Sequence, residues 1–286
     1  MPARAIRFTI SLTALGIIGV SVAALVFLVA FSDHAERYLS GVQPYQFLGK
    51  LDADLLDDYG QVFGVAHNSG DSVDATRKAH RNGADVIEID VISIGSALYA
   101  GHDRPLPFVG SHVFRGPRLE VVWAVARDAE VIKLDLKETS PAYVDRVIRF
   151  LEAQDEHPVI VSSRSVDVLA RFEAGYPRAV RLLSVKAHLA LALLQDDERA
   201  LAVIDGVTVR HTLLDEASAG WLKERGYLIL AWTVNDLGRV NELVQLGVDA
   251  ITTENLAILR LLGDNRTGEL ELVPPRRALP PPEPRE

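Results

Sequence analysis

Two carboxylates on one face of a strand-forming run are the first residues that demand a chemical explanation. In VIEIDV, residues 86–91, side chains alternate across a strand. Ile87, Ile89 and Val91 take one face and suit packing against helices, while Val86, Glu88 and Asp90 take the other. Acids about 7 Å apart along a strand repel and lose hydration, so their burial requires compensation. A bound cation is the simplest form of it. The alternative is that both acids lie past the strand end, solvated or paired with arginine.

Other runs carry chemistry at equivalent places. VAHNSG ends its apolar stretch on His67, and His102-Asp103 follows Asp90 by twelve residues. VIKLDLKE puts Leu134 and Leu136 on one face and Lys133, Asp135 and Lys137 on the other. LILAWTVND ends with Trp232 and Asn235. Singly, each has a plain structural reading: a packed histidine, an Asp-x-Lys salt bridge, a core tryptophan. They gain meaning only if the fold brings the strand ends together.

The elements that must do this alternate along the chain. Strands are expected at Val62–Ala66, Val86–Val91, Val131–Leu136, Val159–Ser162, Val180–Val185, Val207–Val209, Leu228–Val234 and Ala250–Thr253. Helical periodicity falls between them, at Ser72–Asn82, Leu119–Asp128, Ala142–Ala153, Val166–Ala174, Ala187–Arg199, Leu214–Arg225 and Gly238–Leu246, with Ile258–Leu262 in a last helix. RNGAD, ERGYL and QLGVD look like three copies of one helix-Gly-strand junction. Eight strands with intervening helices predict a parallel (β/α)8 barrel of the α/β class, preceded by a single N-terminal transmembrane helix. A doubly wound open sheet is the alternative. In either fold the chemistry belongs at the C-terminal ends of the strands.

The ends of the chain read differently. Arg4 and Arg7 precede an uncharged run, and Ile10 to Phe31 is long enough to span a bilayer as a helix. A secretory signal peptide is the competing reading. Positive charge before the span predicts a single-pass protein of the cell membrane, with a cytosolic N-terminus and the rest of the chain outside the cytosol. The expected layout is a short cytosolic N-terminus over 1–9, the membrane helix over 10–31 and a juxtamembrane segment over 32–60. The barrel follows over 61–264, then a disordered Pro-rich tail over 265–286. A formal net charge of −9 argues against a nucleic-acid partner, and the absence of cysteine excludes disulfides and thiolate metal sites.

From about Val62 to Leu262 the sequence resembles the glycerophosphodiester phosphodiesterases, within the phospholipase-C-like phosphodiesterase barrels. That family's H-R-G falls on His67-Asn68-Ser69, its G-A-D-x-I-E-x-D-V on Gly83 to Val91, and its H-D on His102-Asp103. Its P-x-L-E falls on Pro117 to Glu120, and its E-x-K becomes Asp135-Leu136-Lys137. Its S-F-D falls on Ser163-Arg164-Ser165 and its W-T-V-N on Trp232 to Asn235. GVDAITTEN resembles its last strand.

The resemblance implies His67 and His102 as general acid and base. It implies Glu88, Asp90 and Asp135 as ligands of one divalent cation, Mg²⁺ or Ca²⁺ by the preference of an all-oxygen site. It implies a small-molecule or lipid phosphodiester substrate, with Lys137, Trp232, Asn68 and Arg164 as candidate substrate-binding residues. The chain departs from the family at Asn68, which replaces an arginine, at Asp135, which replaces a glutamate, and in two shortened loops. The histidine without a following arginine, the aspartate in DLK and the twelve-residue step from Asp90 to His102 resemble the sphingomyelinase D branch of the same superfamily, whose products are cyclic phosphates. A catalytically degenerate barrel that binds head groups is a further alternative.

Overall fold

The computed structural model describes residues 56–103 and 116–266. The expected membrane helix, most of the juxtamembrane segment and the tail beyond Arg266 lie outside the described residues. Among the described residues, no helix is long and apolar enough to cross a membrane.

Eight parallel strands close into a barrel. They are β1 (Phe63–Ala66), β2 (Val86–Ile94), β4 (Val131–Leu136), β5 (Val159–Ser163), β6 (Val180–Val185), β7 (Gly206–Arg210), β8 (Leu228–Trp232) and β9 (Ala250–Thr253). The short β3 (Ala97–Ala100) pairs antiparallel with the end of β2. Pairing of β1 with both β9 and β2 closes the ring. Followed round the barrel from Val65, the register returns to β1 eight residues further along. That stagger is the one an eight-stranded (β/α)8 barrel requires, and it excludes the open sheet.

The alternation read from VIEIDV holds throughout. Val65, Val86, Val131, Ile160, Val180, Leu182, Leu230 and Ala250 fill the barrel interior. Ile87, Ile89, Val91, Leu134, Val161, Val207 and Val209 face outward into the core shared with the helices. Those helices are α1 (Val73–His80), α2 (Leu119–Ala126), α3 (Pro141–Glu152), α4 (Val166–Gly175), α5 (His188–Asp196), α6 (Glu198–Val203), α7 (Glu216–Glu224), α8 (Leu237–Gln245) and α9 (Leu256–Asp264).

The floor of the barrel repeats one device. Asp85, Asp205 and Asp249 each stand one residue before a strand. Each carboxylate accepts the backbone N–H of the neighbouring strand: Gly64 at 2.7 Å, Arg181 at 2.8 Å and Ile229 at 2.7 Å. In two of the three junctions read as copies, RNGAD and QLGVD, the aspartate is this clamp. Their glycines, Gly83 and Gly247, take positive φ of 74° and 70° to end the preceding helix.

Three boundaries differ from expectation by more than small shifts at element ends. The helix expected over Ala187–Arg199 is two helices, because Asp197 leaves the helical conformation and its side chain caps α6 at Ala200 N, 2.9 Å. The strand expected to reach Val234 stops at Trp232, where the chain turns toward α8 and Asp236 caps that helix at Arg239 N, 2.9 Å. The strand ending at Val91 runs on to Ile94 and returns as β3 through the turn at Gly95-Ser96. Outside the strands, Tyr59 is fully buried and its hydroxyl meets Asn241 of α8, while Arg266 pairs with Asp85.

Candidate active site

The C-terminal mouth of the barrel collects the residues singled out in the sequence. β1 ends at Ala66, and His67 follows it with its N–H on Thr253 O at 3.0 Å. His67 Nδ1 lies 2.9 Å from Glu254 Oε1 and 3.4 Å from Thr233 Oγ1. Glu254 is held in turn by Asn235, whose Oδ1 accepts from Glu254 N and Thr253 Oγ1, each at 2.9 Å. With Nδ1 tied to a carboxylate, Nε2 is the nitrogen turned to the acids, 4.0 Å from Glu88 Oε2.

β2 and β4 supply the acids. Their register sets Glu88 beside Lys133 and Asp90 beside Asp135. Glu88, Asp90 and Asp135 each offer an oxygen within 4.8 Å of the others. Lys133, buried within the barrel, binds Glu88 Oε1. Lys137 Nζ bridges Asp90 Oδ1, at 3.1 Å, and Asp135 Oδ2. Ser162 of β5 donates to Asp135 Oδ1 at 2.6 Å.

Burial raises the proton affinity of all three carboxyls, and their neighbours decide the outcome. For Asp135, Lys137 and Lys133 with the bonds from Lys137 and Ser162 outweigh burial and hold it well below the usual range. For Glu88, Lys133 and His67 outweigh it and the carboxyl is lowered. For Asp90, burial with the charges of Asp135 and Glu88 prevails over Lys137, and the carboxyl is raised. Lys137 is lowered by burial but raised overall by Asp135 and Asp90, so it stays an ammonium.

His102 arrives by a route the sequence reading did not include. Beyond the end of β1, the same edge of β2 is taken by β3, which runs back toward the mouth. Ala100 pairs with Val91, and Gly101 N donates to Asp90 O at 2.9 Å. His102 follows, half-buried, with Nδ1 2.9 Å from Asp103 Oδ1.

Asn68 takes the left-handed conformation, φ 50°, that turns the chain from His67 into the helical turn Ser69–Asp71. Trp232 closes β8 beside Arg210, whose guanidinium lies 5.9 Å from its ring. Arg164 is exposed just past β5. Lys137, a candidate for a substrate phosphate, is engaged by Asp90 and Asp135.

Three neighbours escaped the sequence reading as site residues. Lys133 stands on the same strand face as Asp135, and that position was its signal. Glu254, next to Thr253, extends the inward line of β9. Asp71 gave no signal, because its position depends on how the turn after His67 folds. Gly70 sits so close to Ile89 that an added Cβ would clash, and this contact brings Asp71 Oδ1 to the backbone N–H of Asp90, 3.3 Å. Burial first, and Asp90 second, push the Asp71 carboxyl up to about 8.

The acid cluster fits a hard divalent cation. All donors are oxygen, and Glu88 Oε2 is buried without a hydrogen-bond partner among the described residues. The nearby ammonium groups show that the site already attracts positive charge.

A (β/α)8 barrel with three converging carboxylates and two histidines at its C-terminal mouth has the form of a phosphodiesterase barrel. Residues 112–258, half of the chain, match the Glycerophosphoryl diester phosphodiesterase family, and the chain belongs to that family. It is an enzyme, a phosphoric diester hydrolase of the glycerophosphodiester phosphodiesterase kind. Glycerophosphodiester phosphodiesterase GDPD4 of Arabidopsis thaliana is 27% identical over 72% of this chain and 75% of that one. An Oleispira antarctica phosphodiesterase, solved with the product sn-glycerol-3-phosphate, is 20% identical with a TM-score of 0.59, over 71% of this chain and 96% of that one. A Thermotoga maritima glycerophosphodiester phosphodiesterase is 16% identical with a TM-score of 0.52, over 69% and 96%. These structures share the fold. The family match takes in Asp135, Lys137 and Trp232 but begins after His67, Glu88, Asp90 and His102.

Proposed function

We propose that the protein hydrolyses glycerophosphodiesters or lysophospholipid-like diesters with one divalent cation, Mg²⁺ or Ca²⁺, held by Glu88, Asp90 and Asp135. The observation that carries this reading is the convergence of those acids with His67 and His102 at one barrel mouth. When bound, the cation would neutralise charge on the phosphate and orient it.

The chain's own residues do the rest. His67, tethered through Nδ1 to Glu254, presents Nε2 on the β1 side of the acids. His102 comes from the β3 side. An in-line displacement needs one proton acceptor at the attacking oxygen and one donor at the leaving oxygen, on opposite sides of phosphorus. The two histidines divide these tasks. The bond from phosphorus to the alcohol oxygen breaks as the bond to the attacking oxygen forms. Lys137 is shared between the acids and a phosphate oxygen, while Trp232, Asn68 and Arg164 border the substrate.

The hydrophobic run over residues 10–31, with Arg4 and Arg7 before it, anchors the enzyme and leaves the barrel outside the cytosol. Phosphorus NMR of the products tests the reaction. Attack by water gives glycerol phosphate and a free alcohol, whereas attack by a neighbouring hydroxyl of the substrate gives a cyclic phosphate and supports the sphingomyelinase-D-like alternative. Failure of any diester to react, with head groups still bound, supports the degenerate barrel.

A further inference from the structure

The inward-facing lines of β2, β4, β5, β6 and β7 end at the mouth in residues of definite charge, and the charges are segregated. On β2 and β4 the lines pass through Glu88 to Asp90 and through Lys133 to Asp135. On β5 the line runs from Ile160 through Ser162 to Arg164. On β6 it runs from Leu182 through Ser184 to Lys186, and on β7 from Gly206 through Thr208 to Arg210. Three successive strands therefore end in a cation, with no acid on their inward lines.

Beneath Arg210 on the same strand, Thr208 is 2% exposed, and its hydroxyl has no hydrogen-bond partner among the described residues. Trp232 Nε1, on the adjacent strand, is also buried and has no hydrogen-bond partner among the described residues. A hydroxyl and an indole N–H left unsatisfied in a barrel wall are groups that a ligand can complete.

We propose that this wall is a subsite for an anionic group, phosphate or carboxylate, on the alcohol part of the substrate. The acid wall takes the scissile phosphodiester. Arg164, Lys186 and Arg210 take the second negative charge, with Thr208 donating from beneath Arg210 and Trp232 from beside it. Head groups bearing a cation, such as choline, meet like charge here and are poor substrates. This assignment rests on the phosphodiesterase reading of the acid wall.

The test compares substrates that differ by one charge: glycerophosphoinositol against glycerophosphoinositol 4-phosphate, and bis(glycero)phosphate against its analogue with a carboxylate in place of one terminal hydroxymethyl. The full chain with Mg²⁺ or Ca²⁺ should favour the charged member of at least one pair by roughly tenfold or more in kcat/KM, as charge-assisted bonds worth about 1.5 kcal/mol or more imply. Which pair responds identifies phosphate or carboxylate. Lys186→Gln and Arg210→Gln should bring the ratio toward one. Equal rates within both pairs, or a preference that survives both substitutions, would overturn the proposal.

Calorimetric binding of inositol 4-phosphate against inositol gives a readout without turnover. Binding of the phosphate that disappears in Lys186→Gln supports the subsite even if neither diester is cleaved. That outcome would sink the phosphodiesterase reading alone. Absence of any difference between the two alcohols would sink the subsite.

Discussion

The backbone N–H of Gly101 meets the carbonyl oxygen of Asp90 at 2.9 Å. Through this bond the strand that carries the acids also carries the hairpin that delivers His102. Gly101 has a φ of 153°, which side chains rarely adopt. Gly101→Val should therefore displace His102 and cut turnover by roughly 10²-fold, while the rise in melting temperature caused by metal stays close to wild type. A loss of the metal response together with the rate would mean the hairpin serves the acids rather than the histidine.

The Glu254 carboxylate fixes which nitrogen of His67 faces the acids. Glu254→Gln should lower kcat by roughly 10- to 10²-fold, less than His67→Ala, with KM little changed. Unaltered kcat would remove Glu254 from the account.

Lys133 and Glu88 form a buried pair, with side chains 3% and 5% exposed. Removing one partner of such a pair strands a charge, at a cost of about 3–5 kcal/mol. Lys133→Met should lower unfolding free energy by that order in urea melts, and Lys133→Met with Glu88→Gln should recover much of it. Equal losses in the single and double variants would show that the two side chains are not coupled.

Asp249 carries a pH signature. Burial, first among its causes, raises its carboxyl above the usual value despite the bond from Ile229 N. The folded state then holds the proton more tightly than the unfolded chain. The stability this contributes is full below the unfolded pKa, near 3.9, and is lost as pH rises through the folded one. Asp249→Asn keeps an acceptor for Ile229 and removes the charge. Its melting temperature relative to wild type should be higher at pH 7.5 than at pH 4.5, and the reverse trend would contradict the assignment.

Much of this fold is legible in local pattern. Period-two alternation in VIEIDV and VIKLDL correctly divides inward from outward residues, because a strand packed on helices must be apolar on its outer face. The closure of the barrel is not legible there, since it depends on register between strands far apart in sequence. The same limit explains the site. His67 and Asp135 sit at strand ends, Glu88 and Asp90 lie within β2, and all four follow from alternation. Asp71 depends on a turn that packs Gly70 on Ile89, and the route of His102 depends on a four-residue strand. Asp197 shows the converse: a single capping residue divides a run whose apolar period continues across it.

The most direct test of the central claim is hydrolysis of a glycerophosphodiester by the purified full chain, followed by phosphorus NMR with and without chelator. Product is expected only with Mg²⁺ or Ca²⁺. A fall of roughly 10²-fold or more is expected in His67→Ala and in His102→Ala. A metal-dependent rise in melting temperature is also expected, kept in both histidine variants and weakened in Glu88→Gln. Wild-type turnover in His67→Ala, or rate and melting temperature indifferent to chelator, would contradict the claim.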